Sequence, residues 1–491
     1  MEISNEKQDA SFDKCEPTTD VTPEVGTVVE RDDGEYHRNF TSRQIHIISL
    51  GGQIGAGLFI SSGKNLLNGG PGGLLLGFAV VCSCVWALHQ TLGEMTISFP
   101  VSGSFIDFAD RFVDPAFSFA AGFSMWLGWT AIIAAEAVFF ITIVNYWAQD
   151  RIPQAALITI FLVVLGALFV LPNYAFAWFE YFAAILKFVA FIIFIITGLA
   201  LILGAGPKGH KADGKVWTTD MAFLNGFKGF SESTLLAILA IGDNTFTGFM
   251  AGETKNPRYS VGHAAFLIPI RVTVIYLISM TFIGLLVSPT NSQLFGGSGV
   301  AASPFVIAVS QAGIQGLPDF LNAVIMVAVA SIAAESFFVA TRILRSMAHQ
   351  RLIPRLLAHV DRQGRPVPAL LATTAITVLM AYINLSAGGI TVFNWLAQIS
   401  STGYFMVWVF VGITSFRFRA ALKAQNDPLF RQPYAWNGLA YKVVMRTKLR
   451  DPKTADLQTG RRPLSPEELV ELDEYQKLPR WRKFYSFIQL W

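Results

Sequence analysis

Long apolar runs alternate with short polar connections along most of this chain. About ten of the runs reach the roughly 20 residues that an α-helix needs to cross a bilayer. Their approximate extents are 45–67, 72–98, 116–148, 154–172, 178–204, 232–252, 264–288, 318–346, 368–386 and 390–416. A further apolar segment, 303–314, is too short to cross and is predicted to be re-entrant or interfacial. The pattern predicts an all-α polytopic membrane protein with about ten transmembrane helices.

The same pattern divides the chain into three regions. Residues 45–416 form the transmembrane core, and residues 1–44 and 417–491 are polar tails. If the N-terminus is cytoplasmic, most Lys and Arg residues of the connections fall on the cytoplasmic side, as the positive-inside rule requires. Both tails are therefore predicted to be cytoplasmic. The acidic segment 1–44 lacks apolar residues for a core and is predicted to be disordered.

Composition narrows the function classes. The chain is 53% hydrophobic and 14% charged, whereas soluble domains carry about 25% charged residues. Its net charge of +3 is too small to indicate a nucleic-acid partner, so the expected partner surface is the lipid bilayer. The three cysteines do not form a disulfide framework, and the histidines have no metal-ligand spacing. We expect no metal and no other cofactor.

The first apolar run is interrupted by glycines in the stretch ISLGGQIGAGLFISSG, residues 48–63. A glycine inside a helix costs about 1 kcal/mol relative to alanine, so Gly51, Gly52, Gly55 and Gly57 together predict a break in the helix. A helix that restarts within the membrane presents free N–H groups and a positive dipole end, both of which suit a carboxylate. The alternative is close helix packing, because Gly51 and Gly55 lie one turn apart.

Ionisable residues inside the apolar runs are a second signal. Each costs roughly 2.5–3.5 kcal/mol on insertion scales, so each needs a function or a partner. Four residues qualify: Glu136, Lys187, Asp243 and Glu335.

Several motifs resemble those of one transporter family. They are Gly70-Pro71, GEMTISFPVSGSF at 93–105, RFVDPAFSFAAGF at 111–123, AGETKNPR at 251–258 and TRILRSMAHQRLIPR at 341–355. In this order they resemble the amino acid permeases, and the fungal branch of the amino acid–polyamine–organocation superfamily fits best. The resemblance covers roughly residues 37–435.

The resemblance implies a LeuT-type fold of two inverted five-helix repeats, with the first and sixth spans broken and the substrate between them. The family usually has twelve spans. Because 434–442 leads directly into a tail similar to the one that follows the family's last helix, we expect the last two helices to be missing.

The implied substrate site combines the two breaks. Amides at the break in the first span would bind the substrate carboxylate, and carbonyls at the break in the sixth span would bind its ammonium. An aromatic side chain would close the pocket. The residues are Ile54, Gly55, Ala56 and Gly57 in the first span, and Ile241, Gly242, Asp243, Thr245 and Phe246 in the sixth. Thr245 stands where the family commonly has glutamate. The alternative for the sixth span is a glycine kink satisfied by neighbouring helices.

The resemblance also assigns roles to the ionisable residues. Lys187 matches a lysine that bacterial relatives place where sodium-coupled members hold an ion, so it is predicted to carry or mimic the coupled cation. The alternative is a lysine that snorkels to the interface. Glu136 and Glu94 are predicted to be structural or gating residues. The role of Glu335 is open, because the family often has asparagine there.

The predicted function is import of amino acids across the plasma membrane, coupled to the proton gradient and driven by alternating access. No covalent chemistry is expected, so the protein is not predicted to be an enzyme. A permease for a related amine such as choline or 4-aminobutyrate is the alternative within transport. A nutrient sensor that no longer transports, or a truncated product, is the alternative outside it.

Overall fold

A computed structural model describes residues 51–426, apart from 100, 102, 172, 208, 210–213, 243–256, 295–302, 362–363 and 388. The described chain consists of helices joined by turns. The α-helices are α1 (Ser62–Ser98), α2 (Phe105–Phe112), α3 (Pro115–Ala148), α4 (Gln154–Val170), α5 (Asn173–Ile202), α6 (Lys215–Thr218), α7 (Gly226–Ile241), α8 (Pro257–Leu286), α9 (Pro304–Gln311), α10 (Leu317–His349), α11 (Val367–Tyr382), α12 (Asn384–Ala387) and α13 (Gly389–Ala424). The prediction of an all-α polytopic membrane protein is confirmed.

The predicted break in the first span is present. Gly51 and Gly52 are helical, the chain leaves the helix at residues 53–55, and a π-helix follows at Gly57–Ser61. This π-helix continues into α1, which is itself broken at Gly70, where φ is 70° and ψ is 176°. A Cβ at Gly70 would lie 2.3 Å from the Met221 carbonyl oxygen, so both the backbone angle and the space require glycine. Gly70 separates the first predicted span from the second.

Seven helices within the described residues are long and apolar enough to cross a membrane. The first of them, Gly57–Thr96, contains the second half of the first predicted span together with nearly all of the second span. The fourth predicted span corresponds to a shorter apolar helix, Gln154–Phe169. The sixth begins as α7, which ends at Ile241 with Gly242 as its C-cap, and its continuation lies outside the described residues. All ten predicted runs therefore contain a helix or part of one.

The spans differ in how far the protein surrounds them. The most apolar window of α3 is 78% buried and that of α10 is 72% buried, whereas the corresponding windows are 33% buried in α5 and 28% buried in α11. α3 packs against both α10 and α13, and α1 packs against both α7 and α8. α3 and α10 therefore form the interior, and α5 and α11 face outward over much of their surface.

The predicted short segment 303–314 is the helix α9. The Ser303 side chain caps it by accepting a hydrogen bond from the Phe305 amide, and it also donates to the Phe59 carbonyl in the π-helix. The Phe305 ring lies 5.0 Å from the Phe59 ring and 4.3 Å from the Phe194 ring, measured between centroids. α9 therefore lies against the π-helix and is too short to span the bilayer.

At the other end of α1, the motif residues build a packed connection into α3. Asp114 caps α3 by accepting a hydrogen bond of 2.8 Å from the Phe117 amide. In the first turn of α2, Asp107 accepts a bond of 2.9 Å from the Gly103 amide and another from the side chain of Gln350, which follows α10. The Asp107–Gln350 bond joins the start of α2 to the end of α10.

Candidate substrate and coupling site

The first break, residues Gln53–Gly55, ends one helix and starts another. The Leu58 and Phe59 amides both donate to the Gly55 carbonyl at 3.0 Å. The amides of Ala56 and Gly57 thus come first in the new helix, which offers them no carbonyl of its own. Ala56 at the N-cap position makes no side-chain capping bond. The geometry creates an N-terminal helix end in the middle of the protein, where the dipole favours a negative group.

α7 ends at Ile241, at the position of the predicted second break, and this end, which we call the second break, lies next to the first. The Tyr276 hydroxyl is 2.8 Å from the Gln53 carbonyl oxygen and 3.0 Å from the Ala240 carbonyl oxygen, so one phenol connects the two breaks. Tyr276 is fully buried and stacks on Phe78 at 5.3 Å between ring centroids. No sequence pattern indicates this role, because a single Tyr in an apolar helix usually belongs to the core.

A buried cavity lies between the two breaks. Its lining comes from the first span and from α3, α7, α10 and α13. The lining residues are Gly52, Gln53, Gly55, Ala56, Gly57, Trp129, Ile132, Ala135, Glu136, Phe139, Leu239, Ala240, Ile332, Glu335 and Tyr404. The structure brings together Gly55, Ala56, Gly57, Glu136 and Glu335 from the predicted site. Trp129 and Tyr404 pack edge to face at 5.4 Å and form an aromatic wall.

The remaining predicted substrate residues lie around or beyond this cavity. Ile54 and Ile241 are buried next to it, and α7 contributes Leu239 and Ala240 to the lining. The Gly242 carbonyl accepts a hydrogen bond of 3.3 Å from the Trp408 indole on α13. Asp243, Thr245 and Phe246 lie outside the described residues.

The glycines of the first span also agree with the alternative interpretation, close helix packing. A Cβ at Gly57 would lie 2.5 Å from the Ala240 Cα, and one at Gly55 would lie 2.3 Å from the Ile332 side chain. A Cβ at Gly51 would lie 2.4 Å from the Ala184 Cβ. The break and the close helix packing therefore depend on the same residues, so a substitution at Gly57 disturbs both.

Lys187 points toward the first break. Its side chain is 0% exposed, and its ammonium donates to the Gly51 carbonyl and to the Ser331 hydroxyl, each at 2.9 Å. Ser331 in turn donates to a Glu180 carboxylate oxygen at 2.6 Å. Because the ammonium is buried and directed inward, the snorkelling alternative is wrong for this lysine.

Three carboxyl groups surround Lys187, and we call them the carboxyl cluster: Glu136 on α3, Glu180 on α5 and Glu335 on α10. They are 4%, 1% and 2% exposed, and all three act electrostatically on Lys187. Sequence reasoning missed Glu180 because it falls near the edge of the predicted span 178–204. The available signal was its spacing, since two helical turns place Glu180 on the same face of α5 as Lys187.

Glu94 lies apart from the cavity. Its carboxylate forms an ion pair with Arg419 on α13, at 2.6 Å to the terminal guanidinium nitrogen and 3.2 Å to Nε. Both side chains are 13% exposed. The pair joins the end of α1 to α13, a location that agrees with the predicted structural role.

Comparison with known proteins adds independent information. Residues 44–445 match the family model described as amino acid permease. The S-adenosylmethionine permease GAP4 of Candida albicans is 34% identical over 87% of this chain and 71% of its own length. The amino-acid permease GAP3 of the same organism is 35% identical over 81% of this chain and 66% of its own length. The general amino-acid permease GAP1 of Saccharomyces cerevisiae is 34% identical over 82% of this chain and 69% of its own length.

Proposed function

The chain belongs to the amino acid permease family, and on this premise we propose that it imports amino acids by alternating access around the two breaks, with a proton as the coupled ion. It is a multi-pass membrane protein and a transporter rather than an enzyme. The plasma membrane is the location typical of such permeases.

One observation supports the substrate class above all others: the uncapped helix start at Ala56 and Gly57 lines the cavity between the two breaks. The α-carboxylate is common to all amino acids, and two backbone amides at a positive dipole end can hold it without a charged side chain. The substrate ammonium would face the end of α7 and the carboxyl groups of Glu136 and Glu335. This arrangement recognises the part that every amino acid shares.

The walls of the cavity would contact the part that differs between amino acids. Among the described lining residues, Trp129, Ile132, Phe139, Ile332 and Tyr404 present apolar or aromatic surface. Burying an apolar side chain against such a wall gains roughly 25 cal/mol per Å² of apolar area, whereas a charged side chain would lose its hydration. We therefore favour neutral amino acids with apolar or aromatic side chains.

The amine alternative makes a different demand on the site. Choline has no carboxylate and would leave the amides of Ala56 and Gly57 without a partner. 4-Aminobutyrate has a carboxylate but places it farther from the ammonium than an α-amino acid does. The relative named as an S-adenosylmethionine permease indicates that bulky α-amino acids also belong in the comparison.

The test uses the full chain, purified and reconstituted into liposomes. Uptake of labelled leucine and phenylalanine is measured with an inwardly directed proton gradient, in competition with unlabelled amino acids, S-adenosylmethionine, choline and 4-aminobutyrate. Competition by α-amino acids, with none by choline or 4-aminobutyrate, is the expected result. Competition by choline alone would contradict the proposal. Absence of uptake of every compound by folded protein would favour the sensor or the truncated product.

A further inference from the structure

We propose that Glu180 exchanges a proton with Lys187 through the Ser331 hydroxyl, and that this exchange controls the hydrogen bond between Lys187 and the first break. The inference rests on the proposed proton coupling and assigns a second residue to it. It makes Glu180 and Ser331 part of the coupling machinery, whereas the motifs of the sequence point only to Lys187.

Three polar groups form a continuous relay across α5 and α10. The Lys187 ammonium donates to the Ser331 oxygen at 2.9 Å, and the Ser331 hydroxyl donates to the Glu180 carboxylate at 2.6 Å. Both distances are those of ordinary to short charge-assisted hydrogen bonds. Every donor in the relay points the same way, from the ammonium to the carboxylate. This orientation is the one that a proton transfer needs.

The transfer is balanced within these three side chains. One N–H bond of Lys187 breaks as a new O–H bond forms on Ser331, while the original Ser331 O–H bond breaks as an O–H bond forms on Glu180. The products are a neutral amine, an unchanged hydroxyl and a neutral carboxylic acid. No electron transfer and no further reactant are involved, and the reverse transfer from Glu180 through Ser331 restores the ammonium and the carboxylate.

The surroundings favour an exchangeable proton in this cluster. Lys187, Glu180 and Ser331 are 0–1% exposed, where an unneutralised charge is expensive. Glu136 faces Lys187 from α3 and Glu335 from α10, and Glu180 lies on the same helix as Lys187. Among the described residues, no other charged group acts on Lys187. One ammonium cannot neutralise three ionised carboxylates, so the cluster as a whole is driven to hold at least one acidic proton.

The state of the relay affects the first break directly. The ammonium donates to the Gly51 carbonyl, which belongs to the last helical residues before residues 53–55. A charged donor makes a stronger hydrogen bond than a neutral amine. Transfer of the proton to Glu180 therefore weakens the tie between α5 and the broken first span. Through this bond, the proton can control the movement of the segment that binds substrate.

The experiment compares exchange with accumulation. Glu180→Gln keeps the shape and a hydrogen-bond acceptor but cannot take the proton, Ser331→Ala removes the bridging hydroxyl, and Ser331→Thr retains it. Ser336→Ala is the matched control, because among the described residues this buried serine donates to its own helix, at the Ile332 carbonyl. Each variant is reconstituted into liposomes. Counterflow of labelled substrate without a gradient, accumulation under a proton gradient, and substrate-dependent proton entry reported by a trapped pH dye are measured.

The expected result is a separation of the two activities. Glu180→Gln and Ser331→Ala retain counterflow, but they lose substrate-dependent proton entry, and their internal substrate concentration only equals the external one. Ser331→Thr and Ser336→Ala accumulate substrate as the unmodified protein does. A merely structural role for Glu180 would lower counterflow and accumulation together, and that outcome would overturn the inference.

Further outcomes are equally decisive. Proton entry and accumulation by Glu180→Gln equal to those of the unmodified protein would overturn the inference. If Glu180→Gln is not recovered as folded protein, Ser331→Ala decides, and normal coupling in that variant would overturn the inference. An unmodified protein that exchanges substrate but moves no protons would refute proton coupling itself, and this is seen before any variant is examined.

Discussion

Tyr276→Phe removes a single hydroxyl, and that hydroxyl connects the two breaks. The ring stays in place on Phe78, so the change leaves packing intact and removes only hydrogen bonding. The hydroxyl has one proton to share between two carbonyl oxygens, at 2.8 Å and 3.0 Å. The substitution therefore removes one full hydrogen bond and one weaker contact. A net hydrogen bond contributes about 0.5–1.5 kcal/mol, and a buried carbonyl left without a donor costs about 1–3 kcal/mol.

These magnitudes set the size of the expected effect. The breaks must be held together for the cavity to bind substrate at both ends, so the lost energy appears as a weaker substrate affinity. A coupling of 1–3 kcal/mol corresponds to roughly a 5- to 150-fold change in affinity. We therefore expect the half-saturating substrate concentration in counterflow to rise by at least about fivefold, and the maximal rate to change less.

The control is the same substitution at Tyr382, a half-buried tyrosine. Among the described residues its hydroxyl forms a hydrogen bond with the Thr159 hydroxyl, at 2.7 Å and in an exposed position. A surface substitution of this kind is usually worth less than about 0.5 kcal/mol, so Tyr382→Phe should leave the half-saturating concentration nearly unchanged. If Tyr276→Phe, recovered folded, behaves like Tyr382→Phe, the two breaks do not depend on each other through this hydroxyl and the reasoning fails.

Three further predictions follow from the same structure. Lys187→Met should abolish accumulation under a proton gradient while counterflow persists, and undiminished accumulation at low external pH would contradict its coupling role. Gly57→Ala should abolish uptake of all substrates together, because its Cβ would lie 2.5 Å from the Ala240 Cα. Overpacking should also lower the free energy of unfolding by about 1–3 kcal/mol, which is measured as a lower thermal midpoint. Gly73→Ala, where nothing lies within 4 Å of a Cβ, is the control and should behave as the unmodified protein. Burial raises the pKa of the Asp107 carboxyl above its usual value, so the folded state holds this proton more tightly, and stability should fall as pH rises from the ordinary aspartate pKa through the raised one. Thermal unfolding across this range measures the slope, and Asp107→Asn should flatten it.

The parts of the fold that depend on local sequence were predictable. Apolar runs gave the spans, the glycines gave the first break, and the length of segment 303–314 gave the short helix α9. Lys187 points inward, as the role implied by the resemblance requires, and the snorkelling alternative is wrong. These features need only composition and spacing along one helix.

The contacts that complete the site were not predictable, because they join distant parts of the chain. Glu180 meets Ser331 across 151 positions, and Tyr276 reaches Gln53 across 223. No periodicity within one helix indicates such a partner. Trp129 lines the cavity, but in a chain with 13% aromatic residues its position carries no signal. The packing role of Gly57 was likewise not predictable, because it depends on contact with Ala240 of α7.

The helix α5 forms an outer wall of the coupling site, and this wall is one helix thick. On one side it carries Lys187, which is 0% exposed, and on the other it presents Phe182, Ile196 and Leu199, which are 61%, 66% and 50% exposed. A helix with its side chains is about 10–12 Å across. The buried charges of the coupling site are therefore separated from the hydrocarbon chains of the bilayer by the width of one helix. The surrounding lipid then acts as electrical insulation for these charges, because it keeps ions and bulk water away from the outer face of the wall.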